Sequence, residues 1–494
     1  MSISRTKGIV ILAILGAVLA CVAAFVNSVF LLSALVLLGG IIFLLLNLEF
    51  GVLLLVFFFP YLGLVIDFSQ FEIFREVPYL KDINAPFIDL FGLVLFVAWL
   101  LHTVISTAAK RSGEISSHAS GKVWDPSTRL GMTLMRQLPH LKSYLFFWLS
   151  GLVSLSNVFP LFFKTSIKYF ARPFTFFYIA FFAPVVSVIA GARGQGLGSS
   201  LLDRALMVFY ATGLLSALNG LAGLFFGAHS DFFRATPFGF FGVNPLGPNH
   251  NLLAETLIAT APAGLLLIGG STAMAGQAGG RGQVLGKWIK YGMFFQWTVA
   301  LFTFARTAWI AIAIQAMLYG WCTYRGEVKR VWRRVWPVAL ILGILLIPLV
   351  LSTFSETVRG STLSRLDQVR IASFYFWRSP WIGQGIGTFI PTLWQTRAFL
   401  LEYGEPLEAH GIVFKLMFEQ GLLGLATFGV FVGAILWKIK KSGNVSALLI
   451  AVGSLTYQLF NTTYYTSKLW IPMAIAVSIA IVYENSHHNS TLVS

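Results

Sequence analysis

An all-α polytopic membrane protein is predicted by three observations. The chain is 57% apolar and only 11% charged, its mean hydropathy is +0.78, and long apolar runs recur along nearly its whole length. A soluble domain carries roughly 25% charged residues, so this surface does not fit inside a soluble core. As helix, about 17 to 25 apolar residues cross about 30 Å of hydrocarbon. On that criterion the runs predict about 14 transmembrane helices, within a range of roughly 12 to 14, and one large loop on the outer face.

The first two spans are read at 9–26 and 29–46. Arg5 and Lys7 ahead of an apolar run resemble a secretory leader, and Val18-Leu19-Ala20-Cys21 faintly resembles a lipoprotein box. The run continues past Cys21 to Val26 without a polar exit, so an uncleaved first span is expected. Further spans are read at 51–66, 87–105, 144–159, 173–189, 205–226, 251–268, 292–304, 307–323, 335–351, 411–437, 445–460 and 469–482. The 15% aromatic share suits belts at the two interfaces. Cys21 and Cys322 both fall within spans, and no disulfide framework is expected.

Lysine and arginine collect in short loops: Arg5 and Lys7; Lys110, Arg111, Lys122, Arg129, Arg136 and Lys142; Arg281, Lys287 and Lys290; Arg325, Lys329, Arg330, Arg333 and Arg334; Lys438, Lys440 and Lys441. Simple alternation of the spans places all of these on one side, the cytoplasmic one by the positive-inside bias. Both termini are then inside, and the segments 67–86, 229–249 and 353–410 are outside. Four regions result: N-terminal transmembrane helices (1–228), a core transmembrane region with outer-face arginines (229–352), the large outer loop (353–410), and C-terminal helices with a short tail (411–494). Most of the +16 net charge is thereby orientation signal and contact with membrane lipids, and no nucleic-acid partner is expected.

Candidate chemistry lies on the outer face. Arg306 stands between two apolar segments with hardly any loop around it, and a charge held there at depth costs about 2.5 to 3.5 kcal/mol unless it faces a partner or a wet cavity. It is read either as an anion site, where a planar guanidinium grips phosphate oxygens, or as a snorkelling residue among headgroups. Arg234 lies in a Phe/Gly/Pro-rich segment that leads to a helix start, with Asn249 or Asn251 as N-cap. A helix N-terminus there also favours anions, although a loop pair with Asp231 is the plainer alternative. His410 opens a span after a loop that contains Arg365, Arg370 and Glu408. With an ordinary pKa near 6.5, a histidine there can take a proton from a hydroxyl, or simply be a solvated helix-start residue. His250, in an Asn-His-Asn setting, is the rival base. Arg365, Arg370, Asn249, His250 and Glu408 are the candidate substrate-binding residues.

Other signals fall away. Gly383-Gln-Gly385-Ile-Gly387 has no strand-turn-helix context and reads as a turn. No Cys/His cluster has zinc spacing, no compact Asp-x-Asp suits a divalent metal, and Gly-x-Ser-x-Gly does not occur. No cofactor or metal is expected.

A Phe/Gly-rich segment with Asn-Pro and Pro-Asn precedes one span, and Phe-Ala-Arg306-Thr-Ala-Trp begins another. Ser379-Pro-Trp-Ile-Gly-Gln-Gly-Ile-Gly-Thr-Phe, Ala-His410 and Glu419-Gln-Gly-Leu-Leu-Gly424 follow. In this order, from Arg234 to Gly424, the chain resembles the O-antigen ligase and polymerase superfamily. The resemblance implies a GT-C-like fold with a periplasmic loop. It further implies an inverting, metal-independent glycosyltransferase in the bacterial inner membrane, with its active site facing the periplasm. The donor would be a polyprenyl (undecaprenyl) pyrophosphate-linked glycan. The acceptor would be a second glycan (polymerase), lipid A-core (ligase) or a protein hydroxyl, and a chain-length regulator would be an additional partner. It assigns catalytic roles to Arg306, Arg234 and His410. The chain departs from the pattern at Ala305 and Thr307, where serine and glycine are usual, and in the inserted Leu246-Gly247, which bears on Arg234. The span number and the lack of a recognisable extra C-terminal domain lean towards polymerase. A transporter or flippase of lipid-linked glycans is the alternative of a different class, although no pair of similarly broken spans is legible.

Overall fold

The computed structural model describes residues 47–67, 84–98, 139–171, 201–227, 233–239, 243–247, 249–268, 280–324, 326–327, 355–404, 410–463 and 466–493. The spans expected at 9–26, 29–46, 173–189 and 335–351 lie outside them, as do Asp231 and Glu408. The chain falls into two compact units, Met1–Val52 with Leu93–Lys122, and Leu53–Gly92 with Val123–Ser494. Described residues of the first unit are helical ends at 48–52 and 93–98, preceded by Asn47. Every candidate site residue belongs to the second.

The elements are overwhelmingly helical. In chain order they are α1 (Leu48–Phe58), β1 (Val65–Asp67), β2 (Asn84–Pro86), α2 (Phe87–Ala98), α3 (Pro139–Ser154), α4 (Phe163–Ala171), α5 (Leu201–Phe226), α6 (His250–Thr260), α7 (Gly280–Phe302), α8 (Arg306–Thr323), α9 (Ser355–Arg378), α10 (Phe389–Gln395), α11 (Arg397–Tyr403), α12 (Ile412–Lys441), α13 (Val445–Phe460) and α14 (Ser467–Val493). Among the described residues, four helices are long and apolar enough to cross a membrane: Leu201–Phe226, His250–Ile268, Ile412–Lys441 and Ser467–Glu484. α13 is as apolar but shorter.

The structure corrects four readings of the sequence. The span expected at 51–66 is the helix α1, which stops short of Pro60 because a proline ring cannot continue the helical hydrogen bonds. The chain then turns into β1, which pairs antiparallel with β2, Val65 opposite Pro86 and Asp67 opposite Asn84. Second, Arg281, Lys287 and Lys290 lie within α7 rather than in a loop before it. Third, the polar stretch 353–410 is mostly helical, in α9, α10 and α11. α9 escapes an apolar-periodicity reading because its buried stripe is Ser364, Gln368, Ala372 and Phe376, half polar, while Leu363, Leu366, Phe374 and Trp377 are exposed.

The fourth correction concerns α12, expected as continuous. Gly421 breaks it with φ 63° and ψ −159°. A continuous helix would close the bonds Leu422 N–H to Phe418 O and Leu423 N–H to Glu419 O. Here the turn after α9 takes over both ends. Gln384 and Gly385 donate their N–H groups to Phe418 O (2.8 Å) and Glu419 O (2.9 Å), and Leu422 and Leu423 donate theirs to Pro380 O (2.8 Å) and Trp381 O (3.0 Å). The three glycines of this turn, Gly383, Gly385 and Gly387, all have positive φ, so the Gly-Gln-Gly-Ile-Gly run is a turn, as its residues suggest. Non-helical backbone within a span is stable only where protein satisfies it, and this turn does so.

α6 shows the same accounting. Its chain turns at Ala261 and Pro262 before resuming to Ile268. Pro262 has no N–H for the Ile258 carbonyl. Gln315 of α8 donates its Nε2 to that carbonyl at 3.0 Å and to Leu449 O of α13 at 3.0 Å, tying three helices together. Around this junction Ala254, Ile258, Ala305, Ala308, Ala311 and Tyr457 form a buried cluster of mostly small residues, which lets α6, α8 and α13 approach closely.

Candidate active site

The N-terminal ends of α6, α8 and α12, the middle of α9 and the loop after α13 supply the site. α7 and α8 form a helical hairpin joined at Thr303-Phe304-Ala305. Phe304, the one non-glycine with positive φ among the described residues (53°), makes the sharp turn. Ala305, at the N-cap, offers no side-chain cap, and its N–H goes instead to Thr303 Oγ1 at 3.3 Å. Arg306 is therefore the first residue of α8, with its side chain exposed.

Arg365, on α9, is half-buried. Burial, then the Arg306 charge, lowers its pKa from the usual arginine value, while Tyr457 acts in the opposite sense. Arg365 Nε is buried without a hydrogen-bond partner among the described residues. One helical turn further on, Gln368 accepts the backbone N–H of His410 at 3.1 Å. Arg365 and His410 thus attach to the same face of α9.

Tyr457, fully buried on α13, donates its hydroxyl to Asn251 O at 2.6 Å. That carbonyl lies next to His250, the first residue of α6, and the Arg234 charge acts on the His250 imidazole. Arg234 is half-buried and held from behind by Ala235 N–H, which donates to Phe302 O at 2.8 Å. Asn249 is the N-cap of α6, its side chain accepting Asn251 N–H at 2.8 Å. These links join Arg234 to His250, Tyr457 to Arg365, Arg365 to Arg306, and α9 to His410. Arg370 stands apart, 79% exposed and paired with Asp367 at 3.0 Å. Glu408 lies outside the described residues.

Several polar residues here were not picked out from the sequence. Glu255 and Lys468 are fully buried, their charges act on one another, and Lys468 Nζ donates to Leu252 O at 2.8 Å. Lys415 and Glu419, also buried, approach to 3.9 Å. A charge in an apolar run is a legible signal by itself, since such residues usually mark function or a partner. Gln368 and Tyr457 carry no such signal and emerge only through contacts distant in sequence.

Apolar spans that surround clustered guanidiniums, an imidazole and buried polar side chains define a helical membrane protein with a cationic candidate site. Residues 291–429 match the family model for the O-antigen ligase domain, and the resemblance to the O-antigen ligase and polymerase superfamily holds. The match marks a membrane glycosyltransferase-like enzyme. It takes in Arg306, Arg365, Arg370 and His410, and begins after Arg234, Asn249 and His250. No curated protein matches the chain.

Proposed function

We propose that the protein is an inverting, metal-independent glycosyltransferase that moves a glycan from polyprenyl pyrophosphate to an acceptor hydroxyl at the periplasmic face of the bacterial inner membrane, as a polymerase or ligase. One observation carries this reading. Arg306 and Arg365 lie close enough to interact as like charges, and among the described residues neither has a carboxylate partner. Two planar forks without a counter-charge suit the oxygens of a diphosphate. His410 takes the proton from the acceptor hydroxyl, which attacks the anomeric carbon from the face opposite the departing pyrophosphate. Arg306 and Arg365, aided by Arg234, meet the negative charge as it develops.

The test is transfer by the purified protein in proteoliposomes. The donor is a glycan on undecaprenyl pyrophosphate, and the acceptors, offered separately, are a second lipid-linked glycan, lipid A-core and a hydroxyl-bearing peptide. A product of inverted anomeric configuration is expected with one of them. Arg306→Ala should reduce transfer about 10²-fold or more, the scale of losing a positioned charge-stabilising donor, and Arg306→Lys should recover little, because an ammonium cannot reproduce the fork. Full activity in Arg306→Lys would make this residue a headgroup anchor.

The break in α12 favours a second reading, a transporter or flippase, since interrupted spans line many transport sites. Passage of the lipid-linked glycan across the bilayer, with no transfer to any acceptor, would decide for it.

A further inference from the structure

Two consecutive peptide N–H groups, those of His410 and Gly411, are held from opposite sides. Gln368 of α9 accepts the first at 3.1 Å, and Thr462 Oγ1, in the turn between α13 and α14, accepts the second at 3.2 Å. Gly411 has φ 115°, a conformation that costs other residues strain. A peptide fixed at two neighbouring N–H groups cannot rotate freely, so the direction of the His410 side chain depends on where Thr462 stands.

The residue after Thr462 is held by a buried carboxyl group on another helix. Glu255 Oε1 accepts from Gln458 Nε2 at 2.7 Å and from Thr463 Oγ1 at 2.5 Å. Gln458 closes the ring, its Nε2 reaching Thr463 Oγ1 at 2.6 Å and its Oε1 accepting Thr463 N–H at 2.8 Å. The first residues of the turn are therefore gathered around a single oxygen. Lys468, at the start of α14, supplies the opposite charge and is itself tied to α6 through Leu252 O. A carboxyl group buried this fully, at 1% exposure, is kept only with polar partners of this kind. Its described hydrogen bonds go to Gln458 and to Thr463 in the 461–463 turn, and to none of the arginines.

We infer that Glu255 is a positioning residue for the base. Its carboxylate, through Thr463 and Gln458, sets the 461–463 turn, and Thr462 passes that placement to the Gly411 N–H and so to His410. This rests on the transferase reading in naming His410 as base, but the placement itself is a property of the chain alone.

The experiment has two readouts. In the transfer assay, Thr462→Val and Glu255→Ala should each lower kcat about tenfold or more with the donor KM within about twofold of the parent, because the phosphate-binding arginines are untouched. Thr462→Ser, which keeps the acceptor oxygen, should restore most of kcat. The double variant should lose no more than the worse single one, as expected of two links in one chain. Independently of transfer, the rate at which diethyl pyrocarbonate modifies His410, followed by mass spectrometry, should change at least threefold in Thr462→Val and Glu255→Ala, while that of His250 holds. Thr462→Val exchanges one buried hydroxyl for a methyl of similar size, leaves the Glu255 ring intact and keeps the test open if Glu255→Ala does not fold. Unchanged His410 reactivity in a folded Thr462→Val, or losses that multiply in the double variant, would overturn the inference. Altered His410 reactivity in a parent that transfers to no acceptor would leave the positioning intact and sink the transferase reading.

Discussion

Arg365 and Arg370 sit five positions apart on α9 and differ in every respect that matters for a ligand. Arg365 is half-buried, beside Arg306, with Nε unsatisfied among the described residues; Arg370 points to solvent and already holds Asp367. Arg365→Ala should raise the donor KM about tenfold, equivalent to about 1.4 kcal/mol, and Arg370→Ala should change it less than twofold, since exposed pairs contribute little. Equal effects would mean that the two act as a diffuse cationic surface. The sequence offered both as candidates because it shows charge but not facing, and α9's face is unreadable when its buried stripe includes Ser364 and Gln368. Arg306 was legible for the opposite reason: its neighbours on both sides are apolar, so a lone charge is conspicuous. Glu255 was equally conspicuous by that rule and was overlooked, because it sits inside a run that reads well as a span.

At the scale of elements, continuous apolar runs such as α5 and α13 were read close to their true limits, since nothing in them interrupts the helical ladder. Two features hidden from the sequence are places where another element completes a broken one. Pro262 is mended by Gln315, and Gly421 by the turn after α9, partners distant in sequence. At Gly421 a Cβ would meet the Trp381 carbonyl carbon at 2.5 Å, in a backbone conformation that L-residues rarely adopt. Gly421→Ala should therefore cost about 1 to 3 kcal/mol from the backbone strain alone, more with the clash, and lower the thermal midpoint in detergent by several degrees. Gly429 has open space around it and ordinary helical geometry, so Gly429→Ala should leave the midpoint level or raise it slightly. If both substitutions behave alike, the break in α12 is not a structural requirement.

For the whole molecule, the composition alone identified a helical membrane protein, because no arrangement of soluble layers hides so apolar a surface. The number and direction of spans rest on alternation, and that is open to a direct test. In a chain with Cys21 and Cys322 replaced by serine, cysteine at Ala398, on the exposed side of α11, should react with an impermeant maleimide added outside intact spheroplasts. Cysteine in place of Lys441, exposed at the end of α12, should react only after the membrane is opened. The reverse pattern would put His410, Arg306 and Arg365 on the cytoplasmic face, and the periplasmic reaction would have to be abandoned.

The exchange of bonds at Gly421 makes chain length part of the fold. Pro380 O reaches forward to Leu422, and Phe418 O is met by Gln384, so the two segments cross-check each other's numbering. One residue added or removed between 380 and 384, or between 418 and 422, slides one bond past the other and strands buried N–H and C=O groups together, each at a cost of about 1 to 3 kcal/mol. The Trp381 side chain, 70% exposed, takes no part in that count. Away from Gly383 and Gly421, this stretch should tolerate a change of side chain far more readily than a change of length.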